Sequence, residues 1–489
     1  MQAPLLPSSG DASASSLAAA IAGLLGVTPA RIGADPSAFL SVRKVVTAGV
    51  LSLLAAFIWG IWRGDTGTRL LAAIPRLSAR DAGIMRIVLA AGLLWAFAST
   101  GPVEPGLPLA SHRGGGPFAD WSWVHTLAAH DRASLWIHNG MLVAAIALGL
   151  GLFTRVAAVS VAALTTLHAL VLLQRQSAHD WGIPVVMLWL LVLVPWGDAV
   201  SVDAAWRRYR GGRPPVRAAA EWGLAVWIPG FALGIALLAA AFAKLDSSGL
   251  SWITSGAVRY HFVTDANQAP VDWGLRIAAS VPLAQAASLG AVLIEALFFL
   301  NIFATGWAPR LAFGLAGAAL LTGFLLFQGV FWAMWWVPLL VFLPWHRLAG
   351  AAAAPQAGEP PPRASLRRWQ IAVLGLFALQ QVVFSGIRLE MEPFVSDYGM
   401  YSFTFASTAE FDEYLANKRR TWRFEMPDSP GVDIEDRVDE VLSDPRQTVR
   451  VIVEEPRFDW QAGRFAPPAR RDHGLLDAEG IRRLQSESP

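Results

Sequence analysis

The chain has 489 residues and no cysteine, which excludes disulfides, thiolate metal sites, CxxC redox motifs and a cysteine nucleophile. That absence says nothing of redox compartment. Charge is scarce too: Asp, Glu, Lys and Arg are 16% of residues, too few to cover a soluble domain of this length. A formal net charge of +2 offers no electrostatic footprint for nucleic acid. The opening residues lack the basic region of a signal peptide, and the apolar run Leu17 to Val27 is too short to span a bilayer. No internal repeat of fixed period is present, which weighs against an inverted-repeat transporter.

What the chain has in quantity is apolar sequence. It is 54% hydrophobic, with a mean hydropathy of +0.43, and carries 22 Trp against 5 Tyr. Trp favours membrane interfaces. Apolar runs predict spans near 45–62, 83–99, 136–153, 156–174, 183–198, 222–243, 277–303, 309–327, 331–345 and 370–386. The expected fold is an all-α polytopic membrane bundle of nine to ten transmembrane helices, followed by a small, partly β extramembrane domain. The expected boundaries are an N-terminal extension over 1–44, the bundle over 45–349, an Ala/Pro-rich linker over 350–369, a last span over 370–387 and the tail over 388–489. Strand-like runs in the tail fall at Met400 to Phe405 and Val449 to Glu454, the second ending before Pro456.

Arginine placement sets an orientation. The densest cluster is Arg207, Arg208, Arg210, Arg213 and Arg217, and the positive-inside rule puts this loop in the cytoplasm. With ten spans, alternation then also places Arg63, Arg69, Arg76, Arg80, Arg155, Arg310, Arg347, Arg363, Arg367 and Arg368 inside. Arg43 and Lys44 fall on the other side. The segments 100–135, 175–182 and 244–276 and the tail become extracytoplasmic, collecting His112, His125, His130, His179, Lys244, Arg259 and His261 on one face. Of these segments the first is Gly/Pro-rich and then aromatic, which predicts a loop followed by an interfacial helix.

Several residues invite chemistry. Lys244 ends an uncharged span: it is either an interfacial anchor or a desolvated amine able to act as a base, with Asp246 nearby to favour its charged form. Arg86 and Glu295 are intramembrane charges, which suggests an ion pair between them, structural or functional. His125 and His130 flank the interfacial helix without carboxylates at ligand spacing, so no metal is expected. His168 reads as a helix-packing hydrogen-bond donor. Trp332, Trp335 and Trp336 read as an interface belt or the lining of a quinone cleft.

The order Lys244-Leu245-Asp246, Trp252, Gly256, Arg259-Tyr260 carries a resemblance. So do Ser177-Ala178-His179-Asp180, Pro195-Trp196-Gly197-Asp198, Ser201-Val202-Asp203, the Leu152-Phe153-Thr154-Arg155 turn, Arg86 and Glu295. Over roughly 80–345 the chain resembles the vitamin K-dependent gamma-glutamyl carboxylase family and its bacterial relatives, the horizontally transferred transmembrane (HTTM) domain proteins. The resemblance implies a multi-pass protein of the bacterial inner membrane and a cofactor of reduced vitamin K or menaquinol. It also implies a lyase-type carboxylation of a protein or peptide substrate. Lys244 takes the place of the family's base and His179 that of its catalytic His. The chain's candidates for binding substrate or cofactor are Trp252, Arg259, Tyr260, Arg86 and Glu295. Ser396 to Ser402 is similar to the family's aromatic-Met stretch beyond the last span. Two features depart: Gln328 stands where relatives often carry His, and the tail is too short to imply propeptide recognition. The alternative is a non-catalytic or differently active protein that binds quinone or lipid, or transports, on the same bundle.

Overall fold

The computed structural model describes residues 73–103, 121–130, 132–175, 178–304, 306–345, 366, 368–387, 394, 401–402, 404–427, 432–435, 438–441 and 447–487. The expected extension, the expected span at 45–62, the loop with His112 and most of the linker lie outside the described residues.

Helix α1 (Ala79–Thr100) is followed by the short α2 (Ser122–Ala129), at the place of the expected interfacial helix, and then by α3 (Ala133–Leu150) and α4 (Thr154–Leu173). Next come α5 (Gly182–Leu191), α6 (Val202–Tyr209) and the long α7 (Ala219–Ser248). Three short helices, α8 (Ser251–Thr254), α9 (Val258–Thr264) and α10 (Trp273–Ala279), lead to α11 (Val281–Phe298) and α12 (Trp307–Gln328). After α13 (Ala333–Trp336) and its 3-10 continuation Val337–Phe342 comes α14 (Arg368–Ile387). Among the described residues six helices, α1, α3, α4, α7, α11 with its 3-10 extension, and α12, are long and apolar enough to cross a bilayer, so the chain is a multi-pass membrane protein. The expected spans at 183–198 and 331–345 are only the shorter apolar helices Gly182–Leu191 and Ala333–Phe342. Pro195 disfavours helix before it, and Pro338 lies in the 3-10 turn.

The bundle is organised around α7, whose most apolar window is 89% buried, against 33% and 28% for α11 and α12. Those two helices keep broad apolar faces outward, with Leu293, Leu297 and Leu315 exposed. Pro229 interrupts the α7 ladder. Polar side chains meet the backbone there: Asn301 Nδ2 donates to the Gly230 carbonyl at 2.9 Å, and Arg310 Nη2 to that of Val226 at 3.2 Å. A Cβ at Gly230 would overlap the Asn301 side chain, so the close approach requires glycine.

Arg86 and several of the sequence motifs form one knot at the end of the bundle where α7 begins. The Arg86 guanidinium donates to the carbonyls of Trp196 at 2.7 Å, Val200 at 2.5 Å and Gly149 at 3.3 Å. The Asp203 carboxylate accepts from the backbone of Phe153 at 2.9 Å and of Thr154 at 2.7 Å, and from the Thr154 hydroxyl. It thereby caps α4 from 50 residues away, at the end where the helix dipole favours an anion. Gly151 turns at φ 69°, and a Cβ there would strike Ser201 and Arg86. Arg86 is thus a structural clasp and not a partner of Glu295, which corrects the expected pairing. The tryptophans also differ from expectation. Trp335 is buried and donates to the Asp180 carbonyl at 2.7 Å, and Trp332 packs on Trp335 at 5.3 Å, so they pin an internal turn instead of forming a belt.

The tail contains α15 (Thr408–Lys418), β1 (Thr421–Glu425), α16 (Val438–Val441), β2 (Val449–Asp459), β3 (Arg464–Leu476) and α17 (Ala478–Glu487). The strands form an antiparallel sheet in the order β1-β2-β3. The partly β tail is therefore present, with two corrections. β2 does not end at Pro456, because a register shift between Glu455 and Arg457 absorbs the missing N–H. The described residues of 400–405 form no strand, and Tyr401 stands at φ 57°.

Replacing Asp203 by Ala should lower the thermal midpoint of purified protein in detergent, with a cost of about 1–3 kcal/mol for each buried donor left unpaired. Asp203→Asn, which keeps one acceptor oxygen, should lose less.

Candidate functional site

Lys244 lies in the last turn but one of α7, is 5% exposed, and does not reach an interface. Its Nζ donates to both carboxylate oxygens of Glu295 on α11, each at 2.9 Å. Both side chains are buried, and each supplies the opposite charge that the other needs. Of the two readings open for Lys244, the burial is that of the desolvated amine, here in an ion pair. The Trp252 ring lies 5.4 Å from Nζ, close enough for a cation–π contact.

Beside the pair lies a cavity of about 230 Å³. Lys244, Glu295 and Trp252 line it, with His261 and Phe262 from α9, Gln328 from α12 and Tyr401 from the tail. Its walls between α11 and α12 are made by small residues, among them Ala287, Gly290, Ala291, Ala319 and Gly323. A Cβ at Gly290 would meet no neighbouring atom within 4 Å, and one at Gly323 only the Phe327 ring. Helix packing therefore does not demand glycine at either position.

Polar side chains stand at the far end of this mainly apolar lining. Gln328 Nε2 donates to Asp265 Oδ2 at 3.1 Å, and the Tyr401 hydroxyl donates to the same carboxylate. Burial pushes the Asp265 carboxyl above its ordinary range, although both hydrogen bonds oppose the shift. Burial also raises the Tyr401 hydroxyl, and the Asp265 charge raises it further. His261 packs its ring against Tyr401 at 4.9 Å. The backbone holds the tyrosine in place: Trp252 Nε1 donates to its carbonyl at 2.8 Å, and Ser248 Oγ to that of Ser402 at 2.7 Å.

Of the residues expected from sequence, Lys244, Glu295 and Trp252 come together here. Arg259 and Tyr260 do not line the cavity. They lie on the other side of α9, where Arg259 sits 4.3 Å over the Trp460 ring and Tyr260 packs on Phe405 at 5.2 Å and Phe411 at 5.0 Å. This cluster joins the tail to the bundle, with Val263, Leu275, Ala278 and Leu415 in the same core. Arg86 is distant: from Ala219, where α7 begins at the clasp end, to Lys244 is 25 residues, or roughly 38 Å of helical rise. His179 opens the 3-10 turn His179–Trp181, but its side chain lies outside the described residues, and so does its expected sharing of a cavity with Lys244. Sequence reasoning passed over Asp265 and Gly290 and gave Tyr401 no role. The signal for Asp265 was an acid four residues after His261, placing both on one helix face. No family model, curated protein or solved structure matches the chain.

Breaking the pair from one side, with Lys244→Met or Glu295→Gln, should cost about 3–5 kcal/mol, because a buried polar partner is left alone. The double change Lys244→Met with Glu295→Leu should recover most of it, measured as a double-mutant cycle on thermal unfolding. Trp460→Ala should expose the tail to limited proteolysis while leaving the helical circular dichroism of the bundle unchanged.

Proposed function

We propose that the chain is a carboxylase-like membrane enzyme of HTTM type that binds the ring of a reduced naphthoquinone, such as menaquinol or reduced vitamin K, in this cavity. The observation that carries the reading is a buried ion pair facing an apolar space with two glycines that packing does not require. The volume supports a ring-sized head group, since pockets for whole drug-sized ligands run about 300–1,000 Å³. The isoprenoid chain of such a ligand leaves between α11 and α12, whose small residues face the cavity. When bound, the quinol supplies the oxidation by oxygen that the resemblance couples to CO2 addition on a protein or peptide substrate.

The pair gives this chemistry a proton acceptor. With Lys244 as ammonium and Glu295 as carboxylate, a proton from a ligand hydroxyl moves to a Glu295 carboxylate oxygen. The Lys244 ammonium stays beside the negative charge left behind and balances it. The residue in the place of the family's base thus acts with its partner as one unit, and His179 is the further candidate in the turn before α5. On the arginine count, the loop 207–217 is cytoplasmic, while the cavity mouth and tail are extracytoplasmic. That register expects ten spans, and six of them are helices of spanning length among the described residues.

Purified protein given reduced menaquinone and oxygen should form the quinone epoxide, read by chromatography. Gly290→Leu should abolish it with little change in thermal midpoint, because it fills the cavity and leaves the pair intact; Lys244→Ala should abolish it as well. Binding of the quinol without epoxide in the wild type would replace the enzyme with a binding protein on the same bundle.

A further inference from the structure

The cavity lining is mainly apolar, with polar side chains at two ends, and only one end has a role so far. On α11 its lining runs from Ala287 to Glu295, and on α12 from Ala319 to Gln328, about 12–14 Å of helical rise in each case. Glu295 and Gln328 mark opposite ends. Val258, at the start of α9, donates its backbone N–H to Ser288 Oγ, seven residues before Glu295, and Phe262 packs on Phe327, next to Gln328. The helix α9 that carries His261 thus sits at the Gln328 end. Lys244 and Glu295 hold one end, and Gln328, Asp265 and Tyr401 the other.

Tyr401 is the unusual member. It comes from the tail and stands in the left-handed region at φ 57°, uncommon for a residue with a Cβ. Trp252 fixes its carbonyl, and the same Trp252 faces Lys244, so one side chain sets the spacing between the two ends. Tyr401 lines the cavity, and its hydroxyl donates to Asp265, which leaves the oxygen lone pairs as acceptors. Backbone strain of this kind persists where the surroundings over-determine it, often at ligand clamps.

We infer that Tyr401, held by Asp265 and Gln328, is a specificity-determining residue that selects ligands with a second oxygen function at the far end of an apolar ring. It rests on the reading of the cavity as a quinol site and adds the residue that tells a ring with two para hydroxyls from one with a single hydroxyl. The first hydroxyl meets the Lys244–Glu295 pair, and the second donates to the Tyr401 oxygen. A ligand without it leaves that buried oxygen underused.

The test is anaerobic calorimetry on purified full-length protein in detergent, with naphthohydroquinone and naphthol as probes. Wild type should bind the diol about tenfold more tightly than the mono-ol, the ratio of one good hydrogen bond. Tyr401→Phe should bind both with the affinity of the mono-ol, Gln328→Met should lose part of the preference, and Gly290→Leu should bind neither. Equal wild-type affinities would overturn the inference, as would a preference that survives Tyr401→Phe. Undiminished binding to Gly290→Leu would overturn it too, by placing the probes elsewhere. If Tyr401→Phe does not fold, Gln328→Met decides, and an undiminished preference there counts against the inference. Calorimetry without oxygen reads binding alone, so a preference there with no epoxide in the separate aerobic assay sinks only the enzyme, and epoxide in that assay without a binding preference sinks only the role of Tyr401.

Discussion

Two opposite charges enclosed in an apolar bundle have to find each other, and in this chain they are Lys244 and Glu295. Either alone carries a desolvation cost of several kcal/mol, which only the other removes. That requirement fixes the register of α7 against α11, with contacts at 2.9 Å. Further along the same two elements, Asn301 meets Gly230 and Trp227 Nε1 donates to the Ile302 carbonyl at 3.2 Å. α12 follows through Arg310. The cavity is what remains where long charged side chains meet helices lined by alanine and glycine.

Much of the bundle was legible because apolar runs of spanning length have one stable solution in lipid. α1, α3, α4, α7, α11 and α12 stand close to where hydropathy placed them. Two expected spans came out short because Pro195 and Pro338 within them act on the backbone, which a hydropathy window does not weigh. The partner of Glu295 was harder. The sequence puts Arg86, Lys244 and Arg310 in apolar helices with one acid, and composition cannot rank them. What decides is depth, and depth was hidden. The apolar run at 277–303 looks like one long span, yet Ala284 and Ser288 near its start pack on Gly256 and Val258, so Glu295 lies well down its length.

The resemblance motifs divide by location. The Lys244 segment stands at the cavity, while Arg86, the Leu152 to Arg155 turn and the Ser201 to Asp203 triplet build the clasp at the other end. A single sequence shows both groups as equally distinctive, since a buried guanidinium on three carbonyls and a buried ammonium on a carboxylate are equally uncommon. Only the fold tells that the first group lines an apolar cavity, while Thr154, Arg155, Trp196 and Asp203 at the clasp line a more polar one of about 170 Å³. The tail was legible as a composition change, but not the docking of Tyr401 or Trp460, since such contacts join residues about 150 to 200 positions apart and leave no local periodicity.

The cap on α4 carries a consequence for biosynthesis. Phe153 and Thr154 emerge from the ribosome about 50 residues ahead of the carboxylate that satisfies their N–H groups. Through that interval the start of α4 has no Asp203, and Arg86 lacks the carbonyls of Trp196 and Val200. The helical hairpin of α3 and α4 is therefore inserted before it is finished. Its final geometry is set only when the segment through residue 203 folds back onto it, so assembly at this end waits on translation and not on the lipid.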